Sequence, residues 1–283
     1  MNAAKTAIIV DSGCDVSKEF VDRYDMKVLS LKVLYGSDMY NDGVDIDPLT
    51  VYERFPEEVP TTSTPNIQDV IDMAESIKAE GYDKIIAITI SSGLSSTFNN
   101  ISISFREVEG IESFVFDTKN ISIGAGLFAI YAGQLLEEGK SFDEVVETLQ
   151  KKIYDSKVFF YMDTLDYLRK GGRINPAVAI VGKALNLKPI ISCNEKGVYY
   201  TVAKMRGSSK GIDKLLNVAM DFAGEDKCYI ALMNGKADEA AAEVKPLIEA
   251  ASPKSEIIVE KQITATMAVH TGPGLVGIGV LKL

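Results

Sequence analysis

The chain has 283 residues, more than one hydrophobic core usually serves, so two domains of roughly 100–170 residues each are expected. A composition that is 46% hydrophobic and 25% charged excludes a disordered or fibrous protein. The formal net charge of -10, without a long Lys/Arg run, argues against a nucleic-acid partner and disfavours binding to an anionic membrane.

Short β-branched runs alternate with amphipathic segments in the first half of the chain, as in βαβ units around a parallel sheet. Strands are predicted at residues 6–10, 27–34, 84–90 and 113–117. Helices are predicted at residues 17–24, 66–80, 96–106, 124–138 and 143–154, the last two separated by the stop and cap signal Gly139-Lys140-Ser141. The fold class predicted here is an N-terminal α/β domain with a parallel sheet.

The pattern changes after residue 154, and a domain boundary is predicted near residue 160. Neighbouring strands are predicted at residues 188–192 and 197–203, joined by a short turn. Helices at 209–222 and 237–250 then alternate with strands at 228–233 and 256–262. The second half is therefore predicted to be a smaller α+β domain.

Several features favour a cytoplasmic protein. The apolar stretch 7–10 before Asp11 is too short for a signal peptide, and the isolated Cys14, Cys193 and Cys228 suit reduced thiols. The uncharged stretches 120–136 and 262–281 contain glycine and proline breaks, so they are interpreted as buried elements and not as membrane spans. No stable membrane insertion is expected.

Four hydroxyl residues stand between prolines in Pro60-Thr61-Thr62-Ser63-Thr64-Pro65, directly before a predicted amphipathic helix. One hydroxyl, from Ser63 or Thr64, is enough to cap the helix N-terminus. Capping leaves Thr61 and Thr62 without a role, so a structural interpretation and a ligand-binding interpretation both stay open.

A second hydroxyl cluster, Ser91-Ser92-Gly93-Leu94-Ser95-Ser96-Thr97, follows the predicted strand 84–90 and precedes a helix. Open α/β sheets bind ligands at the carboxyl ends of their strands, and helix N-termini attract anions. The two hydroxyl clusters together predict a site for a carboxylate or a phosphate.

His270 is the only histidine in the chain and supplies a candidate base for Ser95. The sequence around Ser95 lacks the second glycine of the G-x-S-x-G elbow found in serine hydrolases. A hydrolase that acts on lipid esters through Ser95 and His270 is the alternative to a binding protein, and a purely structural histidine is the third interpretation.

No cofactor and no metal site are predicted. One histidine and scattered cysteines do not suit a transition metal. The G-x-G-x-x-G/A matches that begin at Gly124 and Gly272 lack the structural context of a dinucleotide site. The basic residues Arg169, Lys170 and Arg173 suit a helix C-terminus or, as the second interpretation, a docking surface for a partner.

Four motifs taken together resemble those of the DegV family of fatty-acid-binding proteins. They are Thr62-Ser63-Thr64-Pro65, Ser91-Ser92-Gly93-Leu94-Ser95-Ser96-Thr97, Gly171-Gly172-Arg173-Ile174 and His270-Thr271-Gly272-Pro273-Gly274. The opening Val10-Asp11-Ser12 also fits, so the resemblance spans nearly the whole chain. Ser96 and Thr64 stand where the family commonly has glycine and glutamine, but neither change removes a hydroxyl.

The resemblance implies an N-terminal α/β domain and a C-terminal α+β domain, with a long-chain fatty acid buried at or near their junction. With the boundary predicted from the sequence pattern, these domains are residues 1–160 and 161–283. Residues matching Thr62 and Ser95 would hold the carboxylate, with His270 close by. Ser92 and Thr61 complete the predicted ligand-binding set.

Some bacterial members of the family present the lipid to a separate ATP-dependent fatty acid kinase subunit, which phosphorylates the carboxylate. Arginines matching Arg173 and Arg206 are implicated in that contact, although Gly207 departs from the usual basic stretch. The resemblance therefore implies a fatty acid carrier without enzymatic activity of its own. A carrier of another anionic hydrophobe is a further alternative.

Overall fold

A computed structural model describes residues 2–55, 57–162, 164–174, 187–206 and 211–283. In chain order, the described strands and helices are β1 (Thr6–Asp11), α1 (Lys18–Arg23), β2 (Lys27–Leu29), β3 (Lys32–Tyr35), β4 (Asp38–Asn41), α2 (Pro48–Arg54), β5 (Thr61–Ser63), α3 (Ile67–Ala79), β6 (Lys84–Thr89), α4 (Thr97–Ser104), β7 (Glu112–Asp117), α5 (Ile123–Glu137), α6 (Phe142–Lys151), β8 (Ser156–Tyr161), α7 (Asp166–Lys170), β9 (Leu187–Cys193), β10 (Tyr199–Arg206), α8 (Gly211–Ala223), β11 (Cys228–Gly235), α9 (Asp238–Ala251), β12 (Glu256–Gln262), α10 (Ala265–Thr271) and β13 (Leu275–Lys282).

The first sheet has the strand order β2-β1-β6-β7, and every pair in it is parallel. Side chains alternate between the two faces of a strand, so Ala7 and Ile9 pack with α3 and α4 whereas Ile8 and Val10 pack with α5. Helices cover both faces, which explains why these strands are continuous apolar runs. The predicted N-terminal α/β architecture with a parallel sheet is confirmed.

The second sheet has the order β10-β9-β8-β13-β11-β12 and is antiparallel except for the pair β11 and β12. The predicted hairpin of neighbouring strands is confirmed as β9 and β10. The central strand β13 was not predicted, because Gly277 and Gly279 weaken the strand pattern. A side chain at position 279 would collide with Ile123 of α5, which accounts for the second glycine.

Helix α5 lies between the two sheets and packs against both of them. Twelve of its fifteen residues are buried, so the interpretation of the uncharged stretch 120–136 as a buried element is confirmed. Gly139, with φ +88°, and Ser141, which forms a capping box with Glu144, end α5 and start α6 as predicted. No helix within the described ranges is long and apolar enough to cross a membrane.

The prediction of one strand over residues 27–34 is wrong, because the chain changes sheets there. β2 ends at Leu29, and β3 begins at Lys32 in a third, antiparallel sheet of order β4-β3-β5. At the crossing, the Leu31 N–H donates to Ser12 Oγ at 3.0 Å and Ser30 Oγ donates to the Asp42 carbonyl at 3.0 Å. The third sheet packs on α2 and α10.

Of the two interpretations left open for the first hydroxyl cluster, helix capping by Ser63 or Thr64 is wrong. Helix α3 begins at Ile67, its N-cap residue is Asn66, and the N-cap side chain makes no capping hydrogen bond. Ser63 lies in β5, and Thr64 Oγ1 accepts a hydrogen bond from Asn100 Nδ2 at 2.7 Å. The first hydroxyl cluster therefore forms a short strand, which pairs with β3.

The division into domains of residues 1–160 and 161–283 stays a prediction. Position 160 lies inside β8, which pairs with β13 and β9 in the six-stranded sheet. The three-stranded sheet, although formed by residues of the first half, packs on α10 from the second half. Both halves of the chain therefore contribute to the surroundings of α10.

Candidate functional site

A cavity of about 240 Å³ lies at the carboxyl ends of the parallel strands, the edge at which open α/β sheets bind ligands. Part of its wall lies in the segments that follow β2, β6 and β7, and the other wall residues lie in or directly after β5, in β10, in α10 and in the segment after α7. Its lining is Leu31, Thr62, Ser63, Thr64, Ile90, Leu94, Ser95, Ser96, Ile121, Arg173, Tyr199, Thr266, Met267, His270 and Thr271.

Thr62 and His270 form a hydrogen bond in this wall, with 2.8 Å between Thr62 Oγ1 and His270 Nε2. Burial, reinforced by the positive charge of Arg173, lowers the pKa of His270 to about 4. The imidazole is therefore neutral at pH 7 and carries a single N–H. With that proton on Nε2, the ring donates to Thr62 and leaves the threonine hydroxyl hydrogen free for an anion.

Helix α10 holds His270 in place through its N-terminus. Asp15 Oδ1 accepts a hydrogen bond from the N–H of the N-cap residue Thr264 at 2.7 Å, and Asp15 Oδ2 accepts one from Ser122 Oγ at 2.5 Å. Burial raises the pKa of Asp15 to about 6. At the other end of the helix Gly171 lies against His270 Nδ1, where a β-carbon would collide with the ring.

Ser95 reaches the cavity from the loop between β6 and α4. Its Oγ lies 2.8 Å from Thr97 Oγ1 and accepts a hydrogen bond from the Thr97 N–H at 3.3 Å. Because α4 begins at Thr97, Ser95 stands directly before a helix N-terminus, where the free N–H groups favour a negative charge.

The loop that carries Ser95 is fixed at its base. Asp11 Oδ2 accepts a hydrogen bond from the Ile90 N–H, and Ser91 Oγ donates to the Gly197 carbonyl, each at 2.8 Å. A β-carbon on Gly93 would lie 2.8 Å from the Gly197 carbonyl oxygen, so the loop and the turn between β9 and β10 are in close contact. This contact links the parallel sheet to the second sheet beside the cavity.

Two predicted ligand-binding residues lie outside the cavity lining. Thr61 is an exposed residue of β5. Ser92 Oγ accepts a hydrogen bond from Lys119 Nζ at 3.2 Å, and the Ser92 N–H donates to Asp117 at 3.1 Å. The structure therefore brings Thr62, Ser95 and His270 together without Thr61 and Ser92, whose roles stay predictions.

Arg173, predicted as a partner-docking residue, lines the same cavity. Its Nη1 donates to the Gly171 carbonyl at 2.7 Å. The cavity wall thus contains a cationic residue as well as hydroxyl groups, which the sequence pattern did not indicate. Arg206 is the last residue of β10, and its side chain lies outside the described part of the chain.

The sequence pattern did not single out Tyr199 or Thr266 as cavity residues. Tyr199 follows a turn, and only the pairing of β10 with β9 brings it to the site. Thr266 precedes His270 by four residues, so a helix over this segment places both on one face. That spacing was the available signal, but no helix was predicted there.

The hydrolase alternative requires a base next to Ser95. His270 Nε2 bonds to Thr62 and Ser95 bonds to Thr97, so these two residues do not form a nucleophile and base pair. Within the described ranges His270 Nδ1 has no hydrogen-bond partner, so no carboxylate orients the ring. The same part of the chain contains no group of three or more His, Cys, Asp or Glu residues suited to a metal ion.

A second, narrow cavity of about 20 Å³ adjoins the first and shares Ile121, Tyr199, Met267 and Thr271 with it. Its other wall residues come mainly from the apolar layer beside α5 and the second sheet, and they are Ser122, Val158, Phe160, Met233, Ile263, Leu275 and Gly277. The polar cavity therefore continues into an apolar layer.

These features define a mixed α/β protein in which a parallel sheet and a mostly antiparallel sheet enclose one helix, with a hydroxyl-lined cavity at the ends of the parallel strands. The model of the DegV family, described as a family of uncharacterised proteins, matches residues 5–283. The chain belongs to the DegV family.

Among its relatives is a DegV domain-containing protein of Clostridium acetobutylicum, 40% identical over 278 residues, or 98% of this chain and 99% of the relative. A solved structure from Thermus thermophilus, described as fatty acid binding of a DegV family protein, has a TM-score of 0.91 at 28% identity and covers 100% of both chains. DegV of Bacillus subtilis, described as a fatty acid binding protein, has a TM-score of 0.89 at 26% identity and the same coverage. A stearic acid-binding protein from Eubacterium ventriosum has a TM-score of 0.86 at 27% identity over 97% of both chains.

Proposed function

We propose that this chain binds a long-chain fatty acid, with the carboxylate in the hydroxyl-lined cavity and the acyl chain in the adjoining apolar layer. The proposal depends chiefly on one observation, the hydrogen bond between Thr62 and His270 in a wall that also contains Ser95. The hydroxyls of Thr62 and Ser95 donate to the carboxylate oxygens. The protein acts as a carrier and makes no covalent bond with the lipid.

The electrostatics of the cavity suit one negative charge. Hydrogen bonds from hydroxyls to a carboxylate are charge-assisted and therefore stronger than bonds between neutral groups. Arg173 adds a positive charge to the wall, and His270 stays neutral because burial lowers its pKa to about 4. Two hydroxyls and one cation compensate the buried carboxylate better than hydroxyls alone.

The acyl chain supplies most of the binding free energy. Burying about 14 methylenes at about 0.8 kcal/mol each gives on the order of 11 kcal/mol before the entropic costs of binding. The apolar cavity is narrow, but Met233 and Met267 in its wall have flexible, unbranched side chains that can move aside. The relatives from Thermus thermophilus and Bacillus subtilis, described as fatty acid binding, support a ligand of this class.

Native mass spectrometry of the freshly purified protein, followed by lipid extraction under denaturing conditions, tests the proposal. We expect a mass excess of one fatty acid that disappears on denaturation. Delipidated protein should bind hexadecanoate on titration, and the Thr62→Val/Ser95→Ala variant should bind it at least tenfold more weakly. A bare polypeptide mass together with no binding on titration would reject the proposal.

We further infer that the bound carboxylate is presented to a separate ATP-dependent kinase subunit, which forms an acyl phosphate. Arg173 is both half-exposed and part of the cavity wall, so one side chain can contact a partner and the ligand. Its counterpart Arg169 does not line the cavity and pairs with Asp166 at 2.7 Å. Arg169 therefore provides a matched control for the loss of a local positive charge.

The kinase step can be measured by supplying the lipid-loaded protein with a fatty acid kinase ATP-binding subunit and ATP, and trapping acyl phosphate with hydroxylamine. We expect hydroxamate from the wild type and from Arg169→Ala, and a loss of at least tenfold with Arg173→Ala. Thr62→Ala is expected to lose product while it still binds lipid. Equal product from all four proteins would reject presentation by these residues.

A further inference from the structure

Thr266 carries a buried hydroxyl in the cavity wall for which the described part of the chain provides no hydrogen-bond partner. The residue is 3% exposed, and it lies in the first turn of α10. Leaving a buried hydroxyl unpaired is unfavourable, so its retention needs a physical reason.

The fold itself gives no such reason. A threonine within a helix often donates to the carbonyl four residues earlier, and Thr271 of the same helix does so with the Met267 carbonyl at 3.0 Å. Thr266 makes no bond of this kind. Valine has nearly the same shape as threonine and would fill the same space without an unpaired hydroxyl.

The position of Thr266 relative to His270 indicates which part of a ligand it faces. The two residues are four positions apart on one helix, so they share a face and are separated by about 6 Å along the helix axis. Ile263, which precedes α10 on the side of Thr266, lines the apolar cavity. Thr266 lines the polar cavity together with His270 and Thr62, and its neighbour Met267 lines both cavities. A fatty acid that has its carboxylate beside His270 and Thr62 and enters the apolar cavity along Met267 therefore passes its first few carbons close to Thr266.

We propose that the Thr266 hydroxyl is a second polar recognition point, and that the preferred ligand is a fatty acid with a hydroxyl group on a carbon near the carboxylate, at position 2 or 3. The ligand hydroxyl both donates and accepts, so it pairs with Thr266, whereas a plain methylene chain leaves the threonine unpaired. This inference rests on the proposed binding of a fatty acid and specifies the class of fatty acid.

Dissociation constants for hexadecanoate, 2-hydroxyhexadecanoate and 3-hydroxyhexadecanoate, measured with delipidated protein, test the inference. We expect the wild type to bind one of the hydroxy acids about 5–100-fold more tightly than hexadecanoate. Thr266→Val should reduce that ratio to about one, and Thr266→Ser, which keeps the hydroxyl, should preserve it. Thermal unfolding of both variants reports whether they are folded.

The outcomes separate the inference from the function on which it rests. Equal affinity of the wild type for all three ligands, or a preference that survives Thr266→Val, overturns the inference and leaves fatty acid binding intact. A uniform loss of affinity for all ligands in Thr266→Val also overturns it, because Thr266 would then hold the carboxylate. If the folded wild type binds none of the three, both the proposed function and the inference are overturned.

Discussion

The two hydroxyl-bearing segments of the cavity are held by different means. The serine loop, residues 90–96, is fixed by backbone groups and close contacts, including the Ile90 N–H to Asp11 and the Ser91 hydroxyl to the Gly197 carbonyl. The threonine strand β5 is short and lies at the edge of its sheet, and its cavity side chain, Thr62, bonds to His270. One segment is therefore anchored both to β1 and to the turn between β9 and β10, whereas the other pairs with β3 along one edge and reaches α10 through a side-chain contact.

Each segment also depends on one buried aspartate. Asp11 accepts from Ile90 at the start of the serine loop, whereas Asp15 accepts from Thr264 at the start of the helix that carries His270. Asp11 is the last residue of β1, and Asp15 stands four residues further along the chain. Perturbing the serine loop should therefore cost stability, whereas perturbing the threonine strand should mainly cost affinity.

The largest effect is expected from Gly197→Ala, which acts on the serine loop. Gly197 has a φ of +71°, and a β-carbon there would collide with Ser91 Oγ. We expect this substitution to lower the free energy of unfolding in urea by about 1–3 kcal/mol through the collision, in addition to the cost of placing alanine in the left-handed backbone conformation. Hexadecanoate affinity should fall as well, because Ser95 lies in the displaced loop.

Gly36→Ala is the matched control for the backbone contribution. Gly36 has a φ of +58°, and nothing lies within 4 Å of a β-carbon at that position. Its substitution should cost about 1–2 kcal/mol through the left-handed conformation alone. Equal destabilisation by the two substitutions would mean that the contact between Ser91 and Gly197 does not fix the loop.

The next effect is a pH dependence of stability caused by Asp11. Burial raises its pKa from 3.8 to about 7, so between these values the folded protein holds a proton that the unfolded chain has released. The free energy of unfolding must then fall as pH rises through this window, by up to about 1.4 kcal/mol per pH unit for one group. Urea unfolding between pH 6 and 7 should show the contribution of Asp11 as a fall in stability, and Asp11→Asn should remove that contribution.

The difference in slope between the wild type and Asp11→Asn isolates Asp11 from two other groups. Burial raises the pKa of Asp15 to about 6, so its contribution of the same sign is about half complete at pH 6. Burial lowers the pKa of His270 from 6.5 to about 4, so the contribution of His270 to stability is lost as pH falls from 6.5 to 4. This pH dependence has the opposite sign to that of Asp11. Asp213→Asn, at an exposed position, is the control for a change of net charge, and the same loss of slope in this variant would refute the assignment to Asp11.

The sequence predicted those parts of the fold in which a local pattern and the tertiary structure agree. The parallel strands are continuous apolar runs. The end of α5 and the start of α6 are marked by a glycine and a capping serine that stand within a few residues of each other. β4 and β5 consist mainly of polar residues, and β13 contains two glycines, so their strand structure comes from sheet pairing and not from local preference.

Only part of the candidate site could be predicted from the sequence. Thr62 and His270 are 208 residues apart, and no pattern along the chain indicates their contact, so these residues were predicted through the family resemblance. Thr266 belongs to the site because it shares a face of α10 with His270. Tyr199 belongs to it because β10 pairs with β9. A hydroxyl in an apolar helix is ordinary in sequence, and Thr266 is distinguished by its burial without a partner together with its place in the cavity wall.

A smaller effect is expected on the threonine strand. Thr62→Val and His270→Phe each remove the hydrogen bond between these side chains, so each should weaken hexadecanoate binding by about tenfold, or about 1.4 kcal/mol. Because both substitutions remove the same interaction, the double variant should be little worse than either single one. Titration of the wild type, the two single variants and the double variant with hexadecanoate completes this double-mutant cycle. Additive losses of binding free energy would mean that the two residues act on the ligand independently.

The smallest effect is expected from Thr97→Val, at the first residue of α4 and directly after the serine loop. Thr97 is fully buried, and its Oγ1 lies 2.8 Å from Ser95 Oγ, so the substitution removes a side-chain contact that resembles the one between Thr62 and His270. The loop keeps its contacts to Asp11 and Gly197, and the Thr97 N–H can still donate to Ser95 Oγ. We therefore expect affinity for hexadecanoate to fall less than about threefold, or about 0.6 kcal/mol. A tenfold loss, equal to that of His270→Phe, would show that the serine loop depends on its side-chain contacts as much as the threonine strand does.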